Sequence, residues 1–221
     1  MNILVILALI FAALESLALW KKWNRLEYVA KPAVMICLFF CLYLSTGLQG
    51  LTLWFGMGIL FSLAGDVLLM ISLDRMFIFG LISFLFAHLA YIFGLQNELM
   101  TFTAWSFFLM VILAVSAVRV MRRIVSAIRS KGQTRLANPV IVYSTVITVM
   151  LYAAMTTLSN PEWKASASLF VSFGAFLFYI SDLILAWNKF VSPIKNGRII
   201  NIAAYHLGQI GLIAGVISQF G

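Results

Sequence analysis

Residues 51–73 read LTLWFGMGILFSLAGDVLLMISL, twenty-three residues in a row with one charged side chain, Asp66. About 20 helical residues cross the hydrocarbon core of a bilayer, so this run is long enough to span. It is too continuously apolar for the alternating strands of a barrel, and an open sheet cannot satisfy its backbone in lipid, which leaves a helix. Seven further runs are long enough to span, near 2–20, 32–50, 77–95, 100–120, 138–158, 165–187 and 199–220. The boundary between the second and third rests on a weak turn signal, Thr46–Gly50. The sequence therefore predicts an all-α, polytopic membrane helix bundle of eight transmembrane helices, a single integral membrane domain over 1–221.

Composition supports this reading. Charged residues are 10% of the chain and mean hydropathy is +1.05, whereas a soluble domain averages about 25% charged. The net charge of +8 is not a nucleic-acid signature, because the basic residues cluster in short loops where they set topology and meet anionic lipid. Cys37 and Cys41 lie four apart on one apolar helix and rarely bridge in that geometry, and no Cys/His cluster has zinc spacing. The N-terminal apolar run lacks a basic region ahead of it and is read as a span rather than a signal peptide.

Loop charge sets the orientation. Lys21, Lys22, Arg25 and Lys31 fall between the first two spans, and Arg75 between the third and fourth. Arg119, Arg122, Arg123, Arg129, Lys131 and Arg135 surround the fifth-to-sixth connection; Lys189, Lys195 and Arg198 join the seventh to the eighth. The other loops carry only Lys164, a bias of fourteen against one. The positive-inside rule then places both termini on the non-cytoplasmic side, which requires an even number of spans. The small size and bare loops point to a bacterial cytoplasmic membrane. An internal four-plus-four repeat over 1–98 and 99–221 is suggested by parallel spacings. Asp66 is followed by His88 and Tyr91, Asp182 by Tyr205, His206 and Gln209, and Lys31–Pro32 and Asn138–Pro139 each open a span.

Asp66 and Asp182 sit inside apolar spans, each after a small residue, Gly65 or Ser181. A charge near the bilayer centre costs roughly 2.5–3.5 kcal/mol on insertion scales, so such a residue faces a polar interior and marks function by default. Both lie about two-thirds of the way inward, and Glu15 shares that depth. Two carboxyl groups in one low-dielectric pocket titrate apart, so that one stays protonated while the other is ionised, the state an acid/base pair needs. His88 with Tyr91, and Tyr205 with Gln209, share helix faces at spacings of three and four and are expected to line the pocket with His206 and Lys31. The bland alternatives are interhelical hydrogen bonds for each of these polar residues. For Glu15 they are a structural role or snorkelling toward the first basic loop, and for Asp74 and Arg75 a solvated loop pair. No metal or other cofactor is implied. No Gly-x-Ser-x-Gly elbow or phosphate loop is present.

The ordered set of short motifs resembles the YhhN family of membrane proteins. It comprises Lys31-Pro32, Gly65-Asp66, the run from Gly80 through Phe84, His88 and Tyr91, Pro139 with Tyr143 and Met150, Gly174-Ala175 with Phe178 and Ser181-Asp182, and Tyr205 with Gln209. His206 departs from the second aromatic expected there. The characterised members are lysoplasmalogenases. The resemblance implies hydrolysis of the vinyl ether bond of a lysoplasmalogen to a fatty aldehyde and glycerophosphoethanolamine or glycerophosphocholine. It also implies that the two functional aspartates fall on Asp66 and Asp182. The implied partners are a lysophospholipid substrate and membrane lipid, with oligomeric state open. The rival from another class is a non-enzymatic, proton-coupled small transporter or a lipid-binding membrane protein, since paired intramembrane acids fit that too.

Overall fold

The computed structural model describes residues 3–95 and 103–221. Among them run eight long helices: α1 (Ile3–Lys21), α2 (Asn24–Thr46), α3 (Thr52–Ile71), α4 (Phe77–Leu95), α5 (Ala104–Ser130), α6 (Ala137–Thr156), α7 (Ala165–Ala186) and α8 (Gly197–Phe220). All eight are long and apolar enough to cross a membrane, and no strand occurs among the described residues. The expected starts of the first and fifth spans, at residues 2 and 100, lie outside the described residues.

Two boundaries differ from the sequence reading, and one of them matters for the site. The second helix begins at Asn24 rather than near 32, so Glu27 and Lys31 are helical and Pro32 lies inside the helix. Pro32 has no N–H to donate to the carbonyl four residues back, and the helix continues through it. Pro139 sits in the first turn of α6, where a missing N–H leaves no bond unmade. The fifth helix continues past 120 to Ser130, which places Arg119, Arg122, Arg123 and Arg129 on the helix.

The strongest pairing is between α7 and α8, and it is set by glycine. A Cβ at Gly174 would come within 2.4 Å of the Leu212 backbone nitrogen and 2.7 Å of the Gly208 carbonyl oxygen. The two backbones therefore touch directly, the small-residue packing that membrane helices use because lipid gives helices no hydrophobic reason to associate. Two apolar cores result. A large one, built on Leu38, Phe55, Ile59, Met150 and Phe178, joins α1–α4 to α6–α8. A smaller one joins Phe77, Ile124, Ile128, Val140 and Phe190. Long side chains such as Phe107, Phe108, Ile112 and Val115 cover the outside of α5 and face the lipid.

Candidate active site

Asp66, in the last third of α3, is 1% exposed. Its Oδ1 lies 3.0 Å from the Lys31 ammonium of α2, and its Oδ2 accepts a 2.6 Å hydrogen bond from the Tyr205 hydroxyl of α8. The early start of α2 is what brings Lys31 there. Their mutual attraction opposes the desolvation of the two groups. Gly65 lets the Phe84 ring close over α3, since a Cβ there would come within 2.6 Å of it.

Asp182, near the end of α7, is held differently. Tyr143 of α6 donates its hydroxyl to Oδ2, and His88 Nε2 of α4 lies 3.4 Å from the same oxygen. His88 Nε2 is also 3.0 Å from the Tyr143 oxygen. Tyr143 has one proton and gives it to Asp182, so His88 Nε2 carries a hydrogen and donates to the phenol oxygen. Its Nδ1 has no hydrogen-bond partner among the described residues. The preceding Ser181 is fixed by Asn201 of α8, whose amide donates to the Ser181 carbonyl at 2.7 Å and its hydroxyl at 3.0 Å.

The two clusters adjoin. Phe178 meets Tyr205 edge to face, with ring centroids 5.2 Å apart, and lies tilted against His88, with centroids 4.7 Å apart. Both aspartates line one cavity of about 530 Å³ near the ends of α3 and α7. Its other lining includes Lys31, Tyr205, Phe84 and Asn201, with Glu27, Lys189 and Arg198. Three cations thus face three carboxylates around one chamber. Arg198 pairs with Glu27. Lys189 is carried on a π-helical turn, Trp187–Val191, that ends the seventh span. It reaches Asp74 at 2.7 Å, so the expected Asp74–Arg75 pair is replaced by one across the loops. The Lys189 ammonium holds the Asp74 carboxyl below the usual carboxylate range.

The remaining sequence candidates lie elsewhere. Tyr91 donates to Gln209 Oε1 at 2.8 Å, and Gln209 Nε2 donates to Ser62 at 3.0 Å. This fully buried interhelical network is not part of the cavity lining. His206 turns to the other face of α8 and pairs with Glu15 of α1, both fully buried. Glu15 therefore does not snorkel. Sequence reasoning placed neither Tyr143 nor Asn201, Glu27 and Arg198 in the site. Tyr143 stood among the residues carrying the family resemblance, but its reach to Asp182 depends on how α6 meets α7. No cluster of three or more metal-ligating side chains occurs among the described residues.

The model of the YhhN family matches residues 26–216. The chain belongs to the YhhN family. With its eight apolar helices, this YhhN-family chain is a multi-pass membrane protein. Every residue of the two aspartate clusters falls inside the matched segment, and Glu15 falls outside it. A lysoplasmalogenase homolog of Dictyostelium discoideum is 27% identical over 188 residues, covering 76% of this chain and 61% of that protein. Lysoplasmalogenase TMEM86B of Mus musculus is 31% identical over 83 residues, covering 38% of this chain and 32% of its own. The same-named protein of Sus scrofa is 31% identical over 77 residues, 35% and 29% of the two chains. The chain thus spans no more than 61% of the length of these relatives. No solved structure matches it significantly.

Proposed function

We propose that this YhhN-family protein is a lysoplasmalogenase. It cleaves the vinyl ether bond of a lysoplasmalogen with water, releasing a fatty aldehyde and a glycerophospho-ethanolamine or -choline. The observation that carries the reading is the pair of aspartates, from α3 and α7, lining one chamber. Relatives named lysoplasmalogenase support it.

The reaction begins with protonation of the vinyl carbon farther from oxygen, which leaves an oxocarbenium ion. Asp182 is assigned as the acid. Both of its contacts fall on Oδ2, so Oδ1 is free to carry and deliver a proton. Asp66 is assigned as the carboxylate. Both of its oxygens accept from donors, and its negative charge stabilises the cation and orients water. Water adds to the carbon bearing oxygen and gives up a proton to the Asp182 carboxylate, yielding a hemiacetal and restoring the acid. The hemiacetal hydroxyl proton passes to the glyceryl oxygen as that C–O bond breaks, and the aldehyde leaves. Positioned acid/base groups contribute about 10²–10⁴-fold to such steps. The three cations and three carboxylates around the chamber suit a zwitterionic head group, with its phosphate toward the cations.

The test is aldehyde release from lysoplasmenylethanolamine by the purified protein. Asp66→Asn and Asp182→Asn are each expected to lower it by at least about 10²-fold; Asp66→Asn also strands the buried Lys31 and is expected to lower thermal stability, so its activity is read on protein shown to be folded. Full activity in both variants would end the paired-acid mechanism. No release from the unaltered protein across lipids and pH would end the hydrolase reading and favour a proton-coupled carrier.

A further inference from the structure

The last turns of α5 carry charge that no other part of the fold answers. A helix of 27 residues is about 40 Å long at about 1.5 Å per residue, roughly 10 Å more than a hydrocarbon core of about 30 Å. From Ala104 through Val118 the helix carries no charge, so the excess length falls at its C-terminal end, at head-group level. There Arg122, Ser126 and Arg129 lie exposed at spacings of four and three, on one face. With Met121, Val125 and, from α6, Ile141, they line an open groove of about 310 Å³. Neither arginine has a carboxylate partner among the described residues, and no Asp or Glu occurs in the sequence between Glu98 and Glu162. The cations at the chamber rim differ, since Lys189 meets Asp74 and Arg198 meets Glu27. Arg123 turns away from the groove, to the Trp187 ring 5.9 Å from it.

We propose that this groove binds the head group of an anionic phospholipid. The phosphodiester supplies the missing counterion, and guanidinium groups match its oxygens in pairs. Ser126 adds a hydroxyl donor between the two arginines. A zwitterionic lipid brings an ammonium for which the groove holds no carboxylate, in contrast to the chamber, where three cations face three carboxylates. The acyl chains need no cavity. Phe108, Ile112 and Val115 continue the face of Arg122 toward the other end of α5, and all three are exposed to lipid. The helix thus presents an apolar stripe that ends in a basic groove, the same order of parts as a phospholipid. A free phosphate ester lacks the apolar half of that match. Loop charge alone is enough to set topology, so topology does not account for two arginines aligned beside an apolar wall. The site stands apart from the aspartate chamber and does not rest on the hydrolase reading.

The experiment is native mass spectrometry of the full chain in detergent, titrated with phosphatidylglycerol or with phosphatidylcholine of the same acyl chains. One phosphatidylglycerol is expected to bind ahead of any phosphatidylcholine. Each basic side chain near an anionic head group contributes about fivefold, so Arg122→Gln with Arg129→Gln is expected to weaken phosphatidylglycerol about thirtyfold and leave phosphatidylcholine unchanged. If the double variant does not fold, each single substitution is read against an expected loss of about fivefold. Lys131→Gln with Arg135→Gln removes the same charge from the same connection but outside the groove, and is expected to change binding by less than about twofold. Equal weakening by the two double variants would reduce the effect to diffuse attraction and overturn the site. Equal binding of the two lipids, or displacement of phosphatidylglycerol by glycerol 3-phosphate at equal concentration, would overturn it as well.

Discussion

Asp66 gives Oδ1 to Lys31 and Oδ2 to Tyr205, whereas Tyr143 and His88 both approach Oδ2 of Asp182. Two residues of one type thereby acquire different chemical capacities, which their spans alone do not distinguish. A third carboxyl group, Glu15, pairs with His206 in a fully buried interface, and among the described residues Glu15 Oε1 and His206 Nδ1 have no partner. Removing one member of such a pair strands the other. Glu15→Ala is expected to cost about 3–5 kcal/mol, read as a lowered melting temperature in detergent. The double change Glu15→Leu with His206→Phe is expected to recover most of that loss, because packed apolar side chains replace a buried pair at little cost. A double variant as unstable as the single would show that the pair carries more than packing.

At the scale of elements, the site depends on where helices begin and how closely they approach. The extra turns of α2 carry Lys31 to Asp66, and the π-turn after α7 carries Lys189 to the chamber rim. The contact between α7 and α8 sets the distance between Asp182 and Tyr205, which those two helices bear. Gly174→Ala adds a methyl group against backbone rather than a yielding side chain. The expected result is a stability loss of about 1–3 kcal/mol together with reduced aldehyde release, measured by thermal unfolding and activity on one preparation. An unchanged protein would mean that the helices separate freely. Asp74 belongs to the rim and not to the fold. Its contact with Lys189 helps only above the ordinary carboxylate range and is lost as the carboxyl protonates on acidification. Its exposure leaves it screened by salt.

For the whole molecule, the charge bias of fourteen basic residues against one predicts that both termini lie on the non-cytoplasmic side. Reporter fusions at residue 1 and residue 221 should both report that side, with a fusion near Gly132 reporting the cytoplasm; opposite signals at the two ends would refute the orientation. In that orientation the chamber opens at the cytoplasmic face, where its cations meet lipid head groups. The suggested four-plus-four repeat is testable at the same scale by expressing 1–98 and 99–221 as separate chains and asking whether they reassemble.

The eight spans were legible in the sequence because lipid leaves a long apolar run one way to satisfy its backbone. Asp66 and Asp182 were legible because charge in such a run is costly enough to need a reason. Partner choice was not legible. His88, Tyr91, Tyr205, His206 and Gln209 looked alike as polar residues on helix faces, yet His88 and Tyr205 hold aspartates, Tyr91 and Gln209 bond each other, and His206 meets Glu15. Helical periodicity fixes which residues share a face. Which face meets which neighbour depends on helix rotation and crossing, set here by glycine contacts and core packing between residues far apart in the chain. The sequence by itself determined a membrane bundle with acids, Asp66 and Asp182 among them, inside its apolar spans. Only the tertiary structure decided that Lys31 and Tyr205 hold one, Tyr143 and His88 the other, and that both acids border a single chamber.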